Sequence, residues 1–169
     1  MNLFYKLFAK NNRENFDISN LIWSWIGSFL GLFAIAFFHR NFLDDSDLTL
    51  VLSSFGASAV LIYGAINSPL AQPKNLIGGH IISAIIGVFC YKLFGENLLF
   101  AAAIAVSSSI LVMQLTLTLH PPGGATALIA VIGTPQIHDL GYFFVIFPVF
   151  SGALILFLIA FVINNIPKK

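Results

Sequence analysis

The chain has 169 residues, of which 58% are hydrophobic and 9% charged, with a formal net charge of +1 and a mean hydropathy of +0.92. Ordinary soluble domains carry roughly a quarter charged residues, so this chain cannot cover itself for water, and no stretch is long and polar enough to fold outside a bilayer. The net charge says nothing about nucleic acid, and no basic patch suggests it; the lone Cys90 excludes an internal disulfide and a thiolate metal site.

Leu3, Phe4, Leu7 and Phe8 recur at helical spacing beside Lys6 and Lys10. That pattern predicts an interfacial amphipathic segment over 1–20 rather than a cleaved signal. Apolar runs follow at 21–38, where Trp23 and Trp25 are interface anchors, then at 48–66, 76–94, 98–113, 115–133 and 141–164. The loop after the first run carries Asp44, Asp45 and Asp47. The expected domain is a single transmembrane unit over 21–166.

Residues 56–60 read GASAV and residues 124–128 read GATAL. Upstream, LTLVLSSF (48–55) matches LTLTLHPPG (115–123) with one inserted residue, and downstream each copy runs apolar to Pro69 or Pro135. Each copy is the middle of a group of three segments. Three crossings is an odd number, so the groups 21–94 and 98–165 would lie in opposite orientations, the inverted-repeat plan of many secondary transporters. Six spans place Lys6, Lys10, Arg13, Lys74, Lys168 and Lys169 in the cytoplasm and Arg40 and Lys92 outside. A four-span arrangement with 48–66 and 115–133 re-entrant exchanges Lys74 for Lys92 and gives the same tally. Charge fixes both termini as cytoplasmic without fixing the number of spans; a bacterial plasma membrane is the expected location.

The fifth run is interrupted by His120–Pro121–Pro122–Gly123–Gly124. Two prolines remove two donors and drive the preceding residue out of the α region. LTLTLH before them alternates with period two, placing Thr116, Thr118 and His120 on one face. Residues 48–53 alternate likewise. The predicted fold is therefore an all-α polytopic membrane protein of six segments in two inverted repeats of three, the middle segment of each broken into an extended stretch and a half-helix. Facing half-helix N-termini at Gly56 and Gly124 would form an anion site from N–H groups and partial positive charge. Ser53, Ser54, Phe55, Ala57 and Ser58 would line it from the first copy, and Thr118, His120, Gly123, Ala125 and Thr126 from the second. Bulky substitution at Gly56 or Gly124 is expected to abolish anion binding. Small residues packing helices closely would leave the same trace.

Three stretches, FGASAVLIYG (55–64), SPLAQPKNLIGGH (68–80) and HPPGGATAL (120–128), resemble the signature regions of the HPP family of integral membrane proteins, whose tripeptide stands here as His120–Pro121–Pro122. The family is commonly described with four spans, and plant and cyanobacterial members are implicated in nitrite transport. The resemblance implies a small monovalent oxyanion as ligand. His120, nearest the break, is the candidate for coupling proton and anion movement, or a cap for carbonyls freed by the prolines. His80 reads as an interfacial, structural residue, and His39 and His138 as span-end residues without a specific role. No metal or cofactor is expected, and no HExxH, CxxC or Ser/His/Asp set supports an enzyme. The expected function is a secondary anion transporter, in a possible homo-oligomer, with a passive anion channel or a membrane scaffold subunit as alternatives.

Overall fold

The computed structural model describes residues 18–166; most of the amphipathic segment expected over 1–20 lies outside the described residues. Helix α1 spans Ile18–His39, α2 Asp45–Ala59 and a wider π-helical turn Val60–Gly64, α3 Pro73–Phe94, α4 Leu98–Leu115 and α5 Pro121–Ile132. The short α6 covers Pro135–Leu140, and α7 covers Ser151–Asn164 after an irregular helical stretch, Val145–Phe150. Five of these segments are long and apolar enough to cross a membrane: Ile18–His39, Asp45–Gly64, Pro73–Phe94, Leu98–Leu115 and Val145–Asn164. Helix α5 is apolar but has 12 residues, about 18 Å of rise, short of the roughly 30 Å hydrocarbon layer.

The helix starts follow from local chemistry. Asp44 caps α2 by accepting from the Asp47 backbone N–H at 2.8 Å, with Asp45 and Asp47 in the first turn complementing the helix dipole. Asn97 caps α4 through the Phe100 N–H at 3.1 Å. Prolines stand in the first turn of α3, α5 and α6, where no intrahelical donor is needed.

The broken second copy is observed, but its extended part is shorter than the alternation of LTLTLH implies. Leu115 closes α4, and Thr116 still has helical dihedrals. Leu117 then enters the left-handed region at φ +56°. Thr118 N–H bonds Met113 O at 2.9 Å and Leu117 N–H bonds Gln114 O at 3.2 Å, the paired bonds of a Schellman ending. Only Thr118–His120 remain extended before the prolines start α5. A leucine, 73% exposed, therefore occupies the position that glycine normally takes. Leu117→Gly removes the Cβ strain while losing little packing, and is expected to raise stability by about 1 kcal/mol, read as a higher midpoint of thermal unfolding in detergent.

The first copy differs from expectation. Helix α2 runs unbroken through Gly56, so there is no extended stretch over 48–53 and no half-helix starting at Gly56. No proline interrupts residues 48–58. The hydroxyls there bond back along the same helix, Thr49 Oγ1 to Asp45 O at 2.6 Å and Ser53 Oγ to Thr49 O at 2.8 Å, which satisfies them without leaving α geometry. The second copy breaks because its prolines forbid continuation.

Helix α3 is central, with α4 and α5 packed along it, while α1 packs on α7 and α2. Close approach depends on missing side chains. A Cβ on Gly87 would lie 2.6 Å from Ala127 O, and one on Gly79 2.5 Å from His120 Cβ. Helix α1 admits the Tyr63 ring in the same way, 2.5 Å from a Cβ on Gly27. Its outward face carries Trp25, Phe29, Phe33 and Phe37 in a stacked row with successive centroids 5.6, 5.8 and 6.3 Å apart, an apolar surface suited to hydrocarbon.

Contacts order the two ends of the bundle. Thr134, just past α5, donates its backbone N–H to Asp47 Oδ1 at 3.0 Å and its hydroxyl to Asp47 Oδ2, while Gln136 bonds Asp44 N–H and Phe42 O. At the other end of α2, Ser24 donates to Tyr63 O at 2.9 Å and Asn164 to Ile62 O at 3.3 Å, covering carbonyls at the π-helical turn. Asn75 Nδ2 donates to Leu119 O at 2.8 Å at that same end. The segment from Leu119 to Thr134 thus starts beside the α2–α3 turn and finishes beside the start of α2.

Candidate functional site

The α2–α5 crossing brings the two sequence copies together. Ser58 and Thr126 hold equivalent places in GASAV and GATAL, and between them sits His80 of α3. Its Nε2 is 2.8 Å from Ser58 Oγ and its Nδ1 2.7 Å from Thr126 Oγ1. Ser58 Oγ also reaches His120 Nε2 at 3.0 Å, and His120 Nδ1 lies 2.8 Å from Leu70 O. On the other side, Thr126 Oγ1 is 2.9 Å from Ser54 Oγ, which donates to Pro122 O at 3.0 Å. The side chains form one chain of contacts running between two carbonyls.

Donor inventory orients much of it. Leu70 O only accepts, so His120 Nδ1 carries a proton; in a neutral ring its Nε2 then accepts from Ser58. Ser58 has spent its proton, so His80 Nε2 donates to it and His80 Nδ1 accepts from Thr126. The two rings thus adopt opposite tautomers because one hydroxyl lies between them. They lie edge to face with centroids 5.1 Å apart, and the Phe55 ring lies 4.8 Å from that of His80. Exposure is 0% for Ser58, His80 and His120, 1% for Ser54 and 2% for Thr126. Every partner is a hydroxyl, an imidazole or a carbonyl; no carboxylate takes part. No group of three or more metal-ligating side chains occurs among the described residues.

Of the residues singled out in the sequence, Ser54, Phe55, Ser58, His120 and Thr126 converge here. The others lie elsewhere. Ser53 and Ala57 face outward, and nothing lies within 4 Å of a Cβ on Gly56. Gly124 and Ala125 are half-buried, Gly124 toward Val106. Thr118 bonds Thr116 Oγ1 at 2.8 Å and packs on Gly78, while Gly123 packs on Gly79 and Ser83. The facing-N-terminus site fails for a second reason besides the continuity of α2. Pro121 and Pro122 have no N–H, and the Gly123 N–H is bonded to His120 O at 2.8 Å, so the start of α5 has few free donors to offer an anion.

His80 is the residue that sequence reasoning missed. Seven residues into α3 after Gly78–Gly79, it reads as interfacial, yet it joins the two sequence copies, reaching Ser58 of α2 and Thr126 of α5. Its proximity to the repeat could have been read only from the helix crossing. His39 and His138 have structural duties. His39 Nδ1–H donates to Ile35 O at 2.7 Å, and the ring stacks on Phe147 beside Ser151. His138 Nε2 bonds Val131 O at 3.1 Å and stacks on Tyr91.

A family model described as the HPP transmembrane region matches residues 13–169. The chain belongs to the HPP transmembrane family. It is similar to two Dictyostelium discoideum proteins described as transmembrane proteins, at 47% and 43% identity, each over 156 residues. Those matches cover 90% of this chain but 54% and 50% of the relatives, so the chain spans about half the length of the curated relatives it matches. No solved structure matches the chain. The HPP motif thus lies within the polar centre: its histidine is a member of the chain, and its second proline supplies the carbonyl that ends it.

Proposed function

We propose that this HPP-family membrane protein is a secondary transporter of a small inorganic anion, nitrite or a similar monovalent oxyanion, which it carries together with a proton. The supporting observation is the buried pair His80 and His120 bridged by Ser58 with no carboxylate among its partners. An imidazolium in this low-dielectric setting has no fixed counter-charge, and an isolated charge there is strongly disfavoured. A diffusible anion supplies that counter-charge, and the anion is itself tolerated only beside the proton. Each ligand makes the other's binding favourable, which is the thermodynamic content of coupling.

Six crossings with both termini cytoplasmic form part of this reading. The segment 116–132 begins beside the α2–α3 turn and ends beside Asp47, so an extended stretch and a 12-residue helix would together make the crossing that α5 alone is too short for. Because the centre is enclosed, access requires these helices to move relative to α3. The break at Leu117–His120 and the π-helical turn at Val60–Gly64 are where such movement would be absorbed.

Purified protein in proteoliposomes tests this directly, with nitrite, nitrate, formate, chloride and sulfate presented with and without an inward proton gradient. Uptake selective for a small monovalent oxyanion and several-fold faster under the gradient is expected. Conduction unaffected by the gradient would make the protein a passive channel, and no movement of any anion would leave a scaffold role.

A further inference from the structure

The contacts of the polar centre form a line: Leu70 O, His120, Ser58, His80, Thr126, Ser54 and Pro122 O, joined by six contacts of 2.7–3.0 Å. With both imidazoles neutral, the five side chains bring five mobile protons, one from each hydroxyl and one from each ring. Six contacts and five protons leave one contact without a proton. Both ends are carbonyls, which bring none, and the Ser58 side branch to Ser54 O is longer, at 3.3 Å.

We propose that this chain is a binding site for one proton, shared between His80 and His120 through the Ser58 hydroxyl. With the added proton on His80, its Nε2–H donates to Ser58 and its Nδ1–H to Thr126. Thr126 then donates to Ser54, Ser54 to Pro122 O, Ser58 to His120 Nε2, and His120 Nδ1–H to Leu70 O. All six contacts hold one proton each. Transfer to His120 moves the His80 Nε2 proton onto Ser58 Oγ while the Ser58 proton passes to His120 Nε2. One N–H bond and one O–H bond break, one of each forms, and all six contacts stay filled. A second proton would turn the Ser58 proton to the longer Ser54 O contact at 3.3 Å and set two imidazolium charges on either side of one buried hydroxyl, where like charges oppose each other, so the capacity is one.

Other titratable side chains on the surrounding helices point elsewhere. Asp47 of α2 is bonded to Thr134, the Tyr63 hydroxyl lies by Gly31, and Lys92 of α3 lies over Tyr142. Asp45, Lys74, Cys90 and Tyr91, and Asp139 beyond α5, have no bond to any member of the line. Resting on the transport reading, the inference fixes its stoichiometry: one proton per monovalent anion, a neutral load.

The test is a histidine ¹⁵N NMR titration of the full-length protein in nanodiscs, with and without nitrite, using single His→Gln variants for signal assignment only. At high pH the ring nitrogens are expected to show His120 protonated at Nδ1 and His80 at Nε2. On acidification both rings should shift together at one midpoint, with one proton taken up in total, and nitrite should move that midpoint to higher pH. Ser58→Ala should confine the change to one ring. Two protons taken up, a shift in one ring alone, or no protonation at any pH where the protein stays folded would overturn the proposal. So would a shared step persisting in Ser58→Ala. A shared one-proton step that ignores nitrite would leave the site standing and overturn the anion reading instead.

Discussion

His80→Gln and His120→Gln are each expected to reduce proton-driven nitrite uptake to background, a loss of about a hundredfold or more, while the protein still inserts and purifies. Glutamine keeps a donor and an acceptor at roughly the right reach, so the neighbouring hydroxyls are not stranded; the expected cost in stability is about 1–2 kcal/mol. What it cannot do is take up and release a proton. The control is His39→Gln. His39 is as deeply buried and also hydrogen-bonded through both nitrogens, but it belongs to the contact between α1 and the start of α7. It should lose comparable stability and retain uptake. Parallel measurement of uptake and thermal midpoint separates the two effects, and equal loss of uptake in all three variants would reduce the histidines to packing residues.

Gly87→Ala should destabilise the bundle by about 2–3 kcal/mol, whereas Gly56→Ala should be neutral or stabilising by up to roughly 1 kcal/mol. The added methyl on Gly87 would meet Ala127 O at 2.6 Å, Ala130 Cβ at 2.7 Å and Ala127 Cα at 3.0 Å. Two of those atoms are backbone, so α3 and α5 must separate to admit it. Separation also carries Thr126 away from His80 Nδ1, and uptake should fall with stability. At Gly56 the added methyl enters open space on a continuous helix, where alanine is the better residue, and uptake should be unchanged. Thermal unfolding in detergent read beside uptake checks both. The expectation drawn from the repeat, that Gly56 lines an anion site, is reversed here: the glycine of GASAV faces away, and the serine two residues later faces in.

Legibility in the sequence followed the strength of the local signal. Runs of apolar residues located five long helices closely, because hydrocarbon-spanning length and turn residues act locally. The break before α5 was legible because Pro121 and Pro122 have one structural meaning. Helix α2 was misread because alternating leucines and small polar residues suit a strand or a buried helix equally, and Thr49 and Ser53 settle the matter by bonding their own helix. Ser54, Ser58 and Thr126, singled out through the repeat, and His120, singled out at the break, do come together, but not through helix ends facing each other. His80 reads from the sequence as an interfacial, structural residue, not as a member of the polar centre. Its partners lie 22 and 46 positions away, and nothing near Gly78–Gly79 marks the histidine as central. Where α3 passes between the two copies is a property of packing, which periodicity does not record.

The measurement that bears most directly on the central claim follows internal pH and nitrite uptake together in the same proteoliposomes while the membrane voltage is clamped with a potassium gradient and ionophore. A proton bound by His80 and His120 and carried with a monovalent anion predicts internal acidification in step with nitrite, one proton for each anion, at a rate insensitive to voltage. Nitrite entry that follows the voltage and leaves internal pH unchanged would contradict it.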